Sequence, residues 1–140
     1  HIDSQFVGEA AMLHDIGIRA CDASGIFCHG TEPYIKHGRI GAEWLRAEGL
    51  PKHARVCERH TGAGITRRQI VERNLPLPHE DFLPETIEEK LICYADKFFS
   101  KSHPERMKTM EQAEKSIAKF GDDGVVRFQQ WAELFGGFRS

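Results

Sequence analysis

Apolar residues recur at three- and four-residue spacing along most of the chain, which is the period that places them on one face of an α-helix. No internal repeat or low-complexity tract interrupts this pattern. The sequence therefore predicts an all-α protein built as a helical bundle. Helices are expected at about 4–16, 32–48, 51–61, 65–74, 84–101, 109–121 and 122–135.

Several of the predicted helix ends carry local signals. Ser4 is a candidate N-cap for the first helix, and Gly17 is expected to end it. Pro51 suits a first helical turn, and the segment from Thr109 to Gln112 has the form of a capping box. Residues 17–33 contain three glycines and little periodicity, which predicts a long loop. Two prolines make residues 75–78 extended, which predicts a second functional loop. Loops within 17–33 and 62–84 are expected to shape the substrate pocket.

Length and composition favour one domain spanning 1–140, because 140 residues with 40% hydrophobic content can build a core. The helices within 105–140 are apolar enough to pack on that core or on a second subunit, so a homo-oligomer stays open. Lys and Arg total 19 against 21 for Asp and Glu, a formal net charge of −2. Without a basic excess, polymeric nucleic acid is not an expected partner.

The apolar runs are far too short to cross a membrane, and no charged leader precedes one. The four cysteines form no Cys-x-x-Cys pair, which favours reduced thiols and a cytoplasmic protein. The chain begins with a histidine in what reads as the approach to a helix. We therefore expect that an N-terminal helix is missing from it.

Five histidine and aspartate side chains are predicted to point inward from four helices. Each shares a helical stripe with apolar neighbours or lies beside such a stripe. A buried ionised carboxylate without a partner is so unfavourable that it requires a cation or several donors. The conjunction favours a metal site, because imidazole and carboxylate groups suit divalent ions. The candidate ligands are His14, Asp15, His37, His60 and Asp96.

Other candidates are assigned to structure or solvent. The cysteines are too scattered for a thiolate zinc site, and Cys57 is expected to pack in the core. His53 begins the stripe that ends at His60 but lies two turns away, so it is interpreted as structural. The remaining histidines fall in loops or at the terminus, where solvent exposure is expected.

The segment from Leu13 to Gly17 (Leu-His-Asp-Ile-Gly) resembles the signature of the HD superfamily. His37-Gly38, His60-Thr61-Gly62 and Ala95-Asp96-Lys97 resemble its later ligand positions in the expected order, over roughly residues 6–101. The pattern is most similar to small bacterial HD hydrolases that resemble the symmetrical diadenosine tetraphosphate hydrolases.

The resemblance implies an HD-type helical bundle with two divalent ions, whose identity among Fe, Mn, Co, Ni, Zn and Mg is not distinguished. If the family's ligand assignments are transferred to the matching positions, His14, Asp15 and Asp96 hold one ion together with a histidine from an upstream helix. His37 and His60 hold the second ion, and Asp15 bridges both. The upstream histidine has no match in this chain, since His1 lies too close to His14 in sequence.

Ile18 stands where many family members carry a lysine that is credited with helping to bind phosphate. That task would then pass to other cations. The candidate substrate-binding residues are Arg59, Arg67, Lys97 and Lys101, with Arg68 next to Arg67.

The resulting hypothesis is a metal-dependent phosphohydrolase that acts on a nucleotide or another small phosphate ester or anhydride. Two ions about 3.5–4 Å apart would activate a bridging water, and Asp15 would orient it as the catalytic residue. One alternative is an HD-type di-iron oxygenase with the same ligands. The other is a catalytically degenerate metal- or nucleotide-binding regulatory module.

Overall fold

The computed structural model describes residues 2–20, 22–23, 28–29, 33–99 and 106–136. This part of the chain is mostly helical, which confirms the predicted all-α class. Two-residue strands at Asp22–Ala23 (β1) and Cys28–His29 (β2) pair antiparallel, and short 3-10 helices lie at Ile16–Ala20 and Tyr34–Lys36. The α-helices are Ser4–Leu13 (α1), His37–Ala47 (α2), Pro51–Glu58 (α3), Arg67–Glu72 (α4), Ile87–Asp96 (α5), Met110–Ala118 (α6) and Asp122–Phe135 (α7).

Three helices begin with the same device. Thr66, Thr86 and Thr109 each cap a helix whose third residue, a Gln or Glu, bonds back to the threonine backbone N–H. The capping box predicted at Thr109 is therefore confirmed. The first helix differs from the prediction, because Asp3 rather than Ser4 is its N-cap and accepts a hydrogen bond from the Phe6 N–H.

Two predicted helices end early. The first stops at Leu13, and a turn at His14 and Asp15 leads into the 3-10 helix. The α5 helix ends at Asp96 instead of 101, because the backbone beyond it turns and pairs. The Lys108 N–H donates to the Phe98 carbonyl at 2.7 Å, and Phe99 bridges Met107.

Small residues pack α2 closely against α3 and the 3-10 helix at 16–20. A Cβ atom on Gly17 would overlap the backbone of His37 and Gly41, and one on Gly38 would overlap the carbonyl oxygen of Cys57. The glycines therefore permit a backbone approach that no other residue allows. The cluster between these helices consists of the fully or nearly buried Ala42, Leu45, Ala54 and Cys57.

Large side chains form a second core cluster. The rings of Tyr94 and Phe128 have centroids 4.9 Å apart, and those of Tyr94 and Phe98 are 5.2 Å apart. Helices α6 and α7 contribute Ala113, Ile117 and Trp131 to the same cluster. In the described parts of the chain, no helix is both long enough and apolar enough to cross a membrane.

Candidate functional site

The five inward-pointing residues all lie at helix ends that meet in one place. His14 and Asp15 follow α1, His37 begins α2, His60 lies just beyond α3, and Asp96 ends α5. His37 and His60 are each only 2% exposed, and the side chain of Asp96 is 10% exposed. The close packing of α2 on α3 brings the two buried histidines together, because each lies at the same end of the pair.

All three histidine rings are oriented in the same way. The Nδ1 atoms of His14, His37 and His60 lie 2.6, 2.8 and 2.7 Å from the carbonyl oxygens of Ala11, Tyr34 and Cys57, each three residues earlier in the chain. Because a carbonyl oxygen only accepts, Nδ1–H must be the donor in each ring. Every Nε2 atom therefore faces the interior of the cluster.

The inward Nε2 atoms contact carboxylates and one another. His14 Nε2 lies 3.0 Å from Asp15 Oδ2 and 2.9 Å from Asp96 Oδ1, while His60 Nε2 lies 3.1 Å from Asp15 Oδ1. The Nε2 atoms of His37 and His60 are 3.0 Å apart. Since both of these rings donate through Nδ1, two lone pairs face each other, and a proton or cation between them would be stabilising.

The pKa values of His14 and His60 are shifted in opposite directions. Burial lowers the pKa of His60 to about 4, although its hydrogen bond to Asp15 opposes this. Burial also acts to lower the pKa of His14, but hydrogen bonds to Asp15 and Asp96 outweigh it and raise the pKa to about 10. The two carboxylates thus favour the protonated form of His14, whereas burial disfavours the protonated form of His60.

Asp15 is stabilised in its ionised form by the histidines around it. Desolvation acts to raise the pKa of Asp15, but hydrogen bonds with His14, His37 and His60 hold it well below its usual range. The carboxylate is therefore charged throughout the physiological pH range.

Lys97 adds a buried cation to the cluster. Its Nζ donates to the His60 carbonyl at 2.6 Å and to Asp96 Oδ2 at 2.9 Å. Burial acts to lower the pKa of Lys97, but the negative charges of Asp96, Cys93 and Asp15 and the hydrogen bond to Asp96 together outweigh it, and the pKa is raised. The lysine therefore holds Asp96 and the segment after α3 in one arrangement.

Part of this cluster has the donor set of a metal site. Ligand atoms of His14, Asp15 and His60 all lie within 4.8 Å of one another. Binding an ion there would require His14 to release its proton, because a metal needs the lone pair. The assignment of His14, Asp15, His37, His60 and Asp96 as ligands, and of Asp15 as catalytic, stays a prediction.

A cavity of about 300 Å³ opens beside the histidines. One side, which we call the histidine wall, is formed by His37, His60 and Asp96. A second part of the lining, which we call the lysine wall, is formed by Lys108, Lys119 and Phe120. The remaining lining residues are Tyr34, Thr61, Gly62, Lys97, Phe99 and Ser116.

The predicted substrate-binding cations are placed apart from one another. Lys97 lines the cavity. Arg59 donates to the Leu83 carbonyl at 2.7 Å, and Arg67 is an exposed residue at the start of α4. Lys101 lies outside the described residues, and Ile18 is buried, with 6% exposure.

The lysine wall was missed by the sequence analysis. Its residues lie in the segment before α6 and at the end of that helix, where Lys119 and Phe120 precede Gly121. No motif marks them, because they reach the cavity only through the packing of α6 against the rest of the chain. Their one local signal was an aromatic residue next to a lysine at a helix end.

The outcome for His53 agrees with its structural interpretation. Its Nε2 lies 3.0 Å from Glu9 Oε1, and its ring meets that of Phe6 edge to face. His53 thus joins α3 to α1, away from the cluster.

Proteins similar to this chain include two that are named tRNA (cytidine(56)-2′-O)-methyltransferase. The one from Picrophilus torridus is 38% identical and the one from Thermoplasma volcanium 35% identical, each over 99 residues, or 70% of this chain. An uncharacterised protein of Methanocaldococcus jannaschii is 38% identical over 120 residues, or 84% of this chain.

The matched part covers only a portion of each relative. It spans 63% of the Methanocaldococcus jannaschii protein and 25% of each methyltransferase. No family model and no solved structure matches the chain.

These comparisons contradict the identification with the HD superfamily, because no family model matches and the named relatives are methyltransferases. The phosphohydrolase, the di-iron oxygenase and the degenerate regulatory module are contradicted by the same names. Metal ligation was inferred from buried polar groups that required partners. The structure supplies some of these partners within the protein, since Asp15 contacts His14, and Asp96 contacts His14 and Lys97.

The expected cofactor and partners are also contradicted. Divalent ions acting on a small phosphorylated substrate do not agree with relatives whose name specifies methylation of a tRNA. The argument against nucleic acid rested on the net charge of the whole chain. Net charge says little about a cavity in which Lys97, Lys108 and Lys119 gather locally.

Proposed function

We propose that this chain is a tRNA-binding domain that takes part in 2′-O-methylation of tRNA. The observation that carries the proposal is the 35–38% identity to two tRNA methyltransferases over 99 residues. A shared segment of that length supports a shared fold and a shared partner. The partner named for both relatives is a tRNA.

The cavity belongs at least in part to the segment that is shared. A single stretch covering 70% of a chain of 140 residues includes His60 and Asp96 wherever it begins. Both residues contribute to the histidine wall. The similarity to the methyltransferases therefore includes at least His60 and Asp96 of the polar cluster.

Local chemistry supports an RNA partner. Three lysines and three aromatic residues, Tyr34, Phe99 and Phe120, line one cavity. Proteins bind unpaired RNA with such combinations, in which cations contact phosphates and aromatic rings stack on bases.

We assign binding, rather than methyl transfer, to this chain. Transfer of a methyl group to a ribose hydroxyl needs a donor, and S-adenosylmethionine is the donor that the relatives' activity implies. The described residues do not fit such a group, because the carboxylates of the cluster are engaged by His14 and Lys97. Their one sheet is a two-residue antiparallel ladder, without the crevice at parallel strand ends that commonly holds nucleotide cofactors.

Binding of a fluorescently labelled tRNA transcript, followed by anisotropy as the protein is titrated, tests the proposal. We expect saturable binding that weakens as salt increases, because phosphate contacts release counterions. A DNA duplex of equal length is the control. Equal affinity for the duplex, or no binding of tRNA, would contradict the proposal.

A further inference from the structure

We infer that the cavity takes one unstacked nucleotide of the tRNA, with its base on the aromatic side chains and its phosphate at the lysine wall. This inference rests on the proposed function and names the feature of tRNA that is recognised. The juxtaposition that carries it is a cavity of about 300 Å³ that is lined both by residues flanking α6 and by His37, His60 and Asp96.

The dimensions of the cavity exclude a helical segment of RNA. A volume of about 300 Å³ is at the lower end of the range for small-molecule sites. A duplex could contact only the rim of such a cavity. A base that has left its stack can enter it, and RNA loops and ends present such bases.

Aromatic rings stand at the cavity in positions where a base can reach them. Tyr34 is 40% and Phe99 51% exposed, so both rings are accessible at the cavity. Tyr34 is stacked on His37 with ring centroids 4.5 Å apart, so its orientation is set by the histidine wall. Stacking on such rings is tolerant of base identity, because every base has a π-face.

The Phe120 ring packs against Gly62. A Cβ atom on Gly62 would lie 3.0 Å from the Phe120 ring, so the ring packs directly on the backbone after His60. The Phe120 carbonyl accepts a hydrogen bond from Gln69, which fixes the backbone at this position. The ring therefore links the two walls, and its position is determined before a ligand enters.

The lysine wall is anchored through its backbone. The Lys108 N–H donates to the Phe98 carbonyl, and the Lys119 carbonyl accepts from Arg73 Nη1 at 2.7 Å. The Lys97 ammonium is engaged by Asp96 and the His60 carbonyl. Lys119, whose side chain is exposed and lines the cavity, is therefore the residue placed to contact a phosphate.

The test compares tRNA binding by four variants of the whole chain, each checked for native helicity by circular dichroism. Lys119→Ala should weaken binding several-fold and reduce the slope of log affinity against log salt by about one. Lys115→Ala is the matched control, because Lys115 lies one turn earlier on α6, is 77% exposed and pairs with Glu111. It should leave affinity near that of the wild type.

Phe120→Leu should weaken binding about tenfold, since it removes the aromatic face but keeps an apolar side chain on Gly62. Phe120→Tyr retains the ring and should restore most of the affinity. A ring that merely filled space would be replaced equally well by leucine. Equal binding by the leucine and tyrosine variants, or equal effects of Lys119→Ala and Lys115→Ala, would overturn the inference.

A titration with cytidine 5′-monophosphate, followed by NMR chemical shifts, separates this inference from the proposed function. Wild-type binding of tRNA that no cavity variant alters would leave the proposed function standing and overturn the cavity assignment. Failure of the wild type to bind tRNA would overturn the proposed function. Nucleotide-induced shifts that disappear in Phe120→Leu would then still support the cavity, and their absence would overturn it.

Discussion

The two walls of the cavity are built by opposite packing strategies. The histidine wall is supported by glycines and alanines, which bring backbones so close that no Cβ fits at Gly17 or Gly38. The lysine wall is supported by a core of large rings around Phe128. The close packing at the glycines fixes atomic positions but tolerates no added side-chain volume. The aromatic core tolerates substitution until the loss of side-chain volume leaves a cavity. Backbone positions are thus fixed most closely next to the cluster whose polar atoms lie at hydrogen-bond distance.

The largest expected effect is that of Gly17→Ala. The added methyl group would overlap the His37 backbone carbonyl and the Gly41 backbone nitrogen, neither of which belongs to a flexible side chain. We expect loss of the native packing of α2, measured as loss of cooperative unfolding in urea.

Gly8→Ala is the matched control for Gly17→Ala, because nothing lies within 4 Å of a Cβ atom at position 8 of α1. This substitution should stabilise the protein by about 0.5–1 kcal/mol, since alanine loses less backbone entropy in a helix. Equal tolerance of both substitutions would show that backbone proximity does not govern the histidine wall.

Phe128→Ala should have the next largest effect. Its ring is fully buried against Tyr94 and Phe98, and removing such a ring reduces the free energy of unfolding by about 3–5 kcal/mol. Val126→Ala, on the exposed side of the same helix, should change it by less than about 0.5 kcal/mol. Chemical denaturation measures both, and similar losses would contradict the assignment of the core.

The connection between α3 and α5 should have an intermediate effect. Arg55 Nε donates to Glu89 Oε2 at 2.8 Å, and the Glu89 side chain is only 3% exposed. Arg55→Ala should therefore lower the free energy of unfolding by about 1.5–3 kcal/mol, because a buried carboxylate loses its charged donor and keeps only backbone N–H donors.

Arg68→Ala provides the contrast, since Arg68 is 84% exposed and its pair with Glu72 lies within α4. Its removal should change stability by less than about 1 kcal/mol. If denaturation midpoints shifted equally for both arginine variants, the α3 to α5 connection would be no stronger than a surface pair.

The smallest expected effect concerns the N-cap of α6, the helix that separates Lys108 from Lys119. The Thr109 hydroxyl accepts from the Gln112 N–H at 3.2 Å, and Thr109→Ala should cost about 1 kcal/mol. Thr109→Ser keeps the hydroxyl and should retain most of the stability. Thermal unfolding measures this difference, and a serine variant as unstable as the alanine variant would argue against capping.

The sequence predicted those features that depend on local chemistry. The last helix, expected at 122–135, is observed at Asp122–Phe135, and the inward direction of His37 and His60 agrees with their 2% exposure. The early end of α5 could not be predicted, because it follows from pairing of Phe99 with Met107.

The candidate site was predictable only on one side. The histidines and aspartates stand out because polar residues interrupt apolar stripes. Lys119 and Phe120 resemble ordinary residues at a helix end. Only tertiary packing brings them to the cavity that His60 also lines. The function was mistaken because buried polar residues indicate that partners exist but do not reveal whether those partners are ions or protein groups.

Glu89 sets the register of α5 at its first turn, since it completes the capping box with Thr86 and pairs with Arg55. Asp96 lies two turns further along this helix, so its position is determined from the helix start rather than from the loop before it. The exposed residues 79 and 80 of that loop can therefore be exchanged without displacing the carboxylate. Sequence can vary at this point of the surface while the polar cluster stays unchanged.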